Sequence, residues 1–209
     1  MSEIDVFSDV APAVRALSRR DPALKAAARA IGAPVIRRRA GGFEGLFRII
    51  VEQQVSVASA QAIWKRCGDG LDCMSPLAVA SAGIEGLKAH GLSGPKARYV
   101  DGLARLVADG AFDLSALPRL SDADAAEALI AVKGIGPWTA SIYHLFCEGR
   151  VDIWPPNDVA LKHAYNAAAG EVFDQRALDA RASNWSPFRG VAAHVLWTYY
   201  AVLKGRTPI

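Results

Sequence analysis

The chain has 209 residues, which at ~100–200 residues per domain fits one domain or two small lobes sharing a core and excludes a multidomain assembly. Hydrophobic residues make up 52% and charged residues 22%, a globular composition that excludes a disordered or collagenous chain. The balance of 24 Lys and Arg against 21 Asp and Glu gives +3, which permits a nucleic-acid partner without arguing for one, because such binding needs a local patch.

Helical periodicity runs almost throughout the chain. Val10 to Leu17 and Ala23 to Ile31 place small and branched apolar residues at three-four spacing, and Gly32 with Pro34 ends the second pattern. Arg37-Arg38-Arg39 follows, either a solvated turn or a phosphate-contacting patch, just before Gly41-Gly42, a candidate lobe boundary. Phe43 to Cys67 reads as one helical stretch carrying Gln53 and Gln54, and Gly68 to Gly70, Gly83 and Gly91 to Pro95 divide what comes next. After Gly110 and Pro118, Ser121 and Asp124 form a capping-box pattern that opens a helix through Glu127 and Leu129 to about Val132. Pro155-Pro156-Asn157-Asp158 opens another, with Asn157 or Asp158 at the cap and Val159 to Ala169 as its body. Gly170 and Pro187 bound the last segments. With no sustained period-two run, the predicted class is all-α, with roughly ten short helices.

The cysteines, Cys67, Cys73 and Cys147, match no zinc signature and fall one short of a four-thiolate iron–sulfur cluster. An odd cysteine count, no secretory pattern at the start and no apolar run near ~18 residues predict a cytoplasmic protein. His90, His144, His163 and His194 are dispersed without metal spacing and are expected to be satisfied or exposed, so no side-chain metal site and no cofactor are expected.

The most informative stretch is Leu129-Ile130-Ala131-Val132-Lys133-Gly134-Ile135-Gly136-Pro137-Trp138-Thr139-Ala140. Two glycines flank one aliphatic residue between two helical patterns, so the backbone can turn sharply while Ile135 anchors the turn. Such a turn is either an ordinary helix–turn–helix corner or a place where backbone N–H groups at a helix start receive a phosphate.

This stretch resembles the helix-hairpin-helix motif of the DNA glycosylase superfamily that carries a Gly/Pro-rich loop and a catalytic Asp. The family hairpin is followed about twenty residues on by Pro-x-x-Asp at a helix start, and here Asp158 lies twenty positions after Trp138. Upstream, Ile49 to Ala60, with Gln53-Gln54-Val55-Ser56, is similar to a segment of the AlkA-type alkylpurine glycosylases, and Trp185 to Arg189 with His194 to Trp197 is similar to their C-terminal helix. The resemblance covers roughly residues 40 to 200.

It implies a two-lobed helical fold with the active site in the cleft between lobes, the central lobe at about 42–155 and the second at about 1–41 and 156–209. At this length the chain corresponds to the catalytic core without the N-terminal sheet domain of the AlkA type. The implied function is excision of alkylated purines from double-stranded DNA by a monomeric enzyme, 3-methyladenine above all and 7-methylguanine in addition. Hydrolysis of an N-glycosidic bond passes through an oxocarbenium-like sugar that a carboxylate stabilises, and Asp158 takes that role by position. Capping a helix and acting in catalysis are compatible. An alkylated purine already carries positive charge, so one carboxylate suffices, and an electron-rich slot suits such a base. Trp138 and Trp197, with Tyr143, match that slot, although by residue type alone each Trp fits a packed core equally well.

Trp138 stands where bifunctional members carry a Schiff-base Lys, which implies a hydrolytic enzyme without lyase activity. Gln54, with Gln53 beside it, matches the wedge inserted where the base leaves the stack; the alternative is a solvated Gln pair. Lys133, Gly134, Ile135, Gly136 and Thr139 are the expected hairpin contacts to DNA, Lys96 and Arg98 further backbone contacts, and carbonyls of residues 133–138 a candidate seat for a monovalent cation. Ile142 replaces an expected aromatic and Val159-Ala160 replaces a bulky pair, so a reshaped pocket and another damaged base form the rival substrate reading. A non-catalytic helix-hairpin-helix module is the rival class; it makes no demand for Asp158.

Overall fold

A computed structural model describes Phe7, residues 9–71 and residues 73–207, and among these every regular element is helical. In chain order the helices are α1 (Ala11–Arg20), α2 (Pro22–Ile31), α3 (Gly42–Glu52), α4 (Val57–Gly70), α5 (Pro76–Ala89), α6 (Gly94–Ala108), α7 (Asp122–Ile130), α8 (Pro137–Tyr143), α9 (Val159–Ala169), α10 (Gln175–Arg181) and α11 (Arg189–Leu203). None is long and apolar enough to cross a membrane.

The helices group into two compact units, residues 39–143 and residues 1–38 with 144–209. The first is built on α3, whose Leu46, Phe47, Ile49, Ile50 and Val51 are fully buried among α4, α6 and α8. The second is built on α11, in which every residue from Gly190 to Thr198 is buried against α2, α9 and α1. A helix apolar on all sides belongs in a core, and the sequence of α11 is of that kind. Gly190 is required there: a Cβ would lie 2.7 Å from the Val151 carbonyl, to which the Gly190 N–H donates at 2.8 Å.

The change of unit falls at Tyr143/His144, where the sequence placed it near residue 155. The reason is a single π-turn, His144–Glu148, that continues α8 and carries Phe146 onto His194 and Trp197, with ring centroids 5.7 and 5.5 Å apart. Glu148 in that turn accepts from Arg150 Nε at 2.6 Å and pairs with His144 Nδ1 at 2.6 Å.

Capping residues set most helix starts. Ser121 accepts from the Asp124 N–H at 3.2 Å and donates to its carboxylate at 2.7 Å, closing the predicted box. Asp158 rather than Asn157 caps α9. The expected single helix over Phe43–Cys67 breaks at residues 53–56: Gln54 adopts φ +51° and Ser56 caps α4 through the Ser59 N–H at 3.1 Å. The apolar spacing continues across the break and gave no sign of it; only Ser56 marked it.

Candidate active site and hairpin

The stretch leading into α9 is held by two carboxylates. Asp152 accepts from Arg189 Nε and Nη2 at 2.9 and 3.1 Å and from Ser186 Oγ at 2.7 Å. Asp179, on α10, accepts from Trp154 Nε1 at 2.8 Å, from Gln175 Nε2 at 3.0 Å and from the Asn157 N–H at 3.3 Å. Asn157 is thereby kept at φ +59°, a conformation its short amide tolerates, and the chain enters α9 with Asp158 at its start.

Asp158 is 6% exposed, and both its oxygens receive N–H groups. Oδ1 accepts from the Leu161 N–H at 2.9 Å, and Oδ2 accepts from Trp197 Nε1 at 3.3 Å. One group is a helix-start amide and the other an indole on α11, so the carboxylate is oriented from two directions. Trp197 packs edge-on against Phe146 and His194, and the Arg37 guanidinium carbon lies 5.5 Å from its ring centroid. Burial, reinforced by the Arg37 and Arg38 charges, pushes the His194 imidazole down to about 4, so the ring is neutral near pH 7 and its Nδ1–H donates to the Gly190 carbonyl at 2.8 Å.

The arginines of the run Arg37-Arg38-Arg39 each have a different partner, with Arg38 exposed and the other two partly so. Arg37 covers Trp197, Arg38 lies 5.8 Å from the Phe7 ring centroid, and Arg39 pairs with Glu52 at 2.8 Å.

In the other unit the hairpin between α7 and α8 turns at Gly134, φ +96°, where a Cβ would lie 2.3 Å from Tyr99 Cγ. Only glycine permits both that angle and that approach. Ile135 is buried, 3% exposed, and its N–H donates to the Val132 carbonyl at 3.0 Å, while Lys133 and Pro137 are exposed and Gly134, Gly136 and Trp138 partly so. Of the carbonyls offered to a cation, that of Gly134 already accepts from Gln53 Nε2 at 3.2 Å. Among the described residues no group of three His, Cys, Asp or Glu side chains is arranged to hold a metal ion.

The two glutamines separate. Gln53 turns inward, its amide also donating to Thr139 Oγ1 at 2.9 Å, so the side chains of Gln53 and Thr139 tie the 53–56 turn to the hairpin. Gln54 is exposed at the tip of that turn. Lys96, expected on DNA, instead donates through Nζ to the Val51 and Gln53 carbonyls at 2.7 and 2.5 Å, closing the C-terminal end of α3; burial lowers its ammonium below the ordinary lysine range. Tyr143 is 3% exposed and its hydroxyl accepts from the Gly42 N–H at 2.9 Å, fastening α8 to the start of α3, with Ile142 buried beside it. Asp179, Asp152 and the role of Arg37 escaped the sequence, since the Trp154 and Asn157 contacts of Asp179 span 25 and 22 positions, those of Asp152 with Ser186 and Arg189 span 34 and 37, and no motif joins Arg37 to Trp197.

The profile of the HhH-GPD superfamily base excision DNA repair proteins matches residues 47–187, and the chain belongs to that superfamily. It is 29% identical over 163 residues to a putative DNA-3-methyladenine glycosylase, YfjP, of Bacillus subtilis, covering 73% of this chain and 56% of that one, so it spans little more than half the length of this relative. An alkylbase DNA glycosidase-like protein, mag2, of Schizosaccharomyces pombe is 26% identical over 166 residues, 74% of this chain and 76% of that protein. The crystal structure of a DNA-3-methyladenine glycosidase from Bacillus halodurans superposes with a TM-score of 0.80 at 27% identity, covering 95% of this chain and 93% of that one.

Proposed function

We propose that the protein is a monofunctional DNA glycosylase that hydrolyses the N-glycosidic bond of alkylated purines in double-stranded DNA, 3-methyladenine foremost. The observation that carries this reading is the buried Asp158 carboxylate, held by the Leu161 and Trp197 N–H groups, at the position to which the sequence resemblance assigns the catalytic Asp. Its charge opposes the positive charge that develops on the sugar as the base departs. The bond between the purine nitrogen and C1′ breaks with its electron pair going to the base, which leaves neutral because alkylation had already made it cationic. A water oxygen bonds to C1′, its proton passes to Asp158 or to solvent, and an abasic site remains.

The hairpin backbone at 133–137, exposed at Lys133 and Pro137 and partly so at Gly134 and Gly136, takes a DNA phosphate, with Lys133 adding charge, and exposed Gln54 fills the space the flipped base leaves. Trp138, unable to form a Schiff base, leaves water as the nucleophile. The protein works as a monomer without a cofactor, and its odd count of three cysteines suits the cytoplasm.

The test is release of 3-methyladenine from methylated DNA, with an alkali step to reveal abasic sites. Wild type should release the base without cutting the strand, and Asp158→Asn should be slower by about 10²–10³-fold, the usual effect of losing a transition-state charge partner. Equal rates for the two proteins overturn the proposal. The reduced bulk at Val159 and Ala160, with Val159 exposed, favours as second substrate a larger damaged purine, which a panel of lesion duplexes would reveal.

A further inference from the structure

We propose that the outward faces of α1 and α2 form a second surface for the DNA backbone, in addition to the hairpin. The proposal rests on the reading of the chain as an enzyme acting on DNA and extends it to two helices that carry none of the chemistry. Residues 10–39 hold eight Lys and Arg and a single acidic residue, Asp21, whereas the rest of the chain holds 16 Lys and Arg against 20 Asp and Glu. The small net charge of the whole chain thus averages over a strongly basic segment.

Four of these cations form two stripes. In α1, Ala13 and Leu17 are buried, while Arg15 and Arg19, each two residues further on and so about 200° round the helix, are exposed. In α2, Ala23 and Ala27 are buried, and Lys25 and Arg29 are exposed in the same relation. Each pair sets like charges one turn apart, which destabilises a helix. The helix dipoles favour Arg19 and Arg29, in the last turns, but not Arg15 or Lys25, which stand a turn nearer the positive ends. Arg20 is engaged elsewhere, donating to the Ser186 carbonyl at 2.6 Å, but among the described residues no carboxylate pairs with Arg15, Arg19, Lys25 or Arg29.

The helices packed against them supply no exposed anion. α1, α2, α9 and α11 contain no Asp or Glu, and the carboxylates that cap α2 and α9, Asp21 and Asp158, are 2% and 6% exposed. Asp9, before α1, accepts from the Ala11 N–H at 3.0 Å. A field of one sign without an internal counterion is satisfied by an extended polyanion. In DNA each strand carries a phosphate every ~3.4 Å of axis, and helix positions four apart are separated by about 6 Å, so one stripe spans roughly two phosphate steps. Neither helix has an Asn, Gln or aromatic residue, so such contact follows the backbone and reads no bases. Neither exposes a large apolar side chain, which a helix lying on a membrane would need.

The test is the salt dependence of binding to an undamaged duplex. Arg15→Gln, Arg19→Gln, Lys25→Gln and Arg29→Gln combined in one chain should reduce the slope of log affinity against log salt by roughly two to four, since each phosphate contact contributes about 0.9. Tm should not fall, because two like-charge pairs are relieved. Arg15→Lys, Arg19→Lys and Arg29→Lys combined, which keep the charge, should retain the wild-type slope. So should Lys65→Gln with Lys88→Gln, which removes cations already paired with Asp69 and Glu85 and so controls for net charge. An unchanged slope in the fourfold Gln variant, or the same fall per charge in the Lys65 and Lys88 control, overturns the proposal. Weaker binding of the fourfold variant to phosphatidylserine vesicles at a constant duplex slope would assign the face to a membrane and overturn it as well. The titration needs no excision: absence of base release by wild type would overturn the glycosylase reading, while the slopes would still decide whether α1 and α2 meet DNA.

Discussion

Trp197 donates its indole N–H to Asp158 Oδ2 at 3.3 Å, across 39 positions of sequence, while the Leu161 N–H holds Oδ1 at 2.9 Å. A hydrogen bond to a charged group is worth about 1.5–3 kcal/mol, so Trp197→Phe, which keeps the ring and removes the N–H, should slow single-turnover base release by roughly ten- to a hundredfold. Circular dichroism and Tm should change little, because the aromatic packing against Phe146 and His194 survives. A variant as fast as wild type would show that Asp158 needs no second N–H group.

Asp179 is a positioning residue for the same carboxylate. It touches Trp154, Gln175 and the Asn157 amide but not Asp158. Asp179→Ala should free the left-handed Asn157 and lower kcat by tenfold or more with KM for the lesion duplex nearly constant, since the hairpin proposed to bind DNA lies on other residues. Stability should fall by about 1–3 kcal/mol, the cost of leaving such groups unmet. Loss of stability with unaltered kcat would make Asp179 merely structural.

Lys96 and Lys133 should behave oppositely. Lys96→Met leaves the Val51 and Gln53 carbonyls without their partner and should lower stability by about 1–3 kcal/mol while the salt dependence of DNA binding stays constant. Lys133→Ala should leave Tm unchanged and reduce the slope of log affinity against log salt by about one, as expected for a phosphate contact. A Lys96→Met protein whose salt slope falls would return that residue to the DNA interface.

At Gly134 an added Cβ meets Tyr99 at 2.3 Å on a backbone at φ +96°. Gly134→Ala should cost several kcal/mol, on the order of 2–4, from overpacking and the left-handed angle together. Tyr99→Ala in the same chain should recover only the steric part, and urea unfolding of the three proteins separates the contributions.

Acid should weaken the second unit in two stages. The folded His194 titrates near 4 against an ordinary 6.5, so its protonation favours the unfolded chain: stability is complete above about 6.5, declines as pH falls through that value, and levels off below about 4. Asp21 is buried, which by itself raises a carboxyl, but bonds from Arg181, Trp185 and the Leu24 N–H outweigh burial and hold it below its ordinary 3.8. Its contribution is present above that ordinary value and lost as pH falls through the lower folded one. Asp21→Asn should flatten the stability profile below about pH 4 and leave the decline between 6.5 and 4 intact, which urea midpoints across pH can check.

The local sequence alone determined a good deal: Ser121 with Asp124 opens α7, Asp158 opens α9, and Gly134-Ile135-Gly136 turns the hairpin around a buried aliphatic. Caps, breakers and glycine angles act within a few residues, so they are legible in one dimension. The all-α class follows from the same periodicity, and the pairing of the hairpin with Asp158 led to the superfamily that the profile over residues 47–187 establishes.

Tertiary structure decided what each side chain does. Gln53 and Gln54 are neighbours in sequence, yet one holds the hairpin from inside and the other stands exposed, because the chain turns left-handed between α3 and α4. Lys96 caps a helix whose end is more than forty positions earlier, Tyr143 fastens the start of α3, and three consecutive arginines find three different partners. These roles depend on which distant carbonyl, ring or carboxylate packing brings within about 3–6 Å, the range over which hydrogen bonds and cation–π contacts act. Sequence spacing carries no information about such distances, whereas the cap at Asp158 needed only the three residues that follow it.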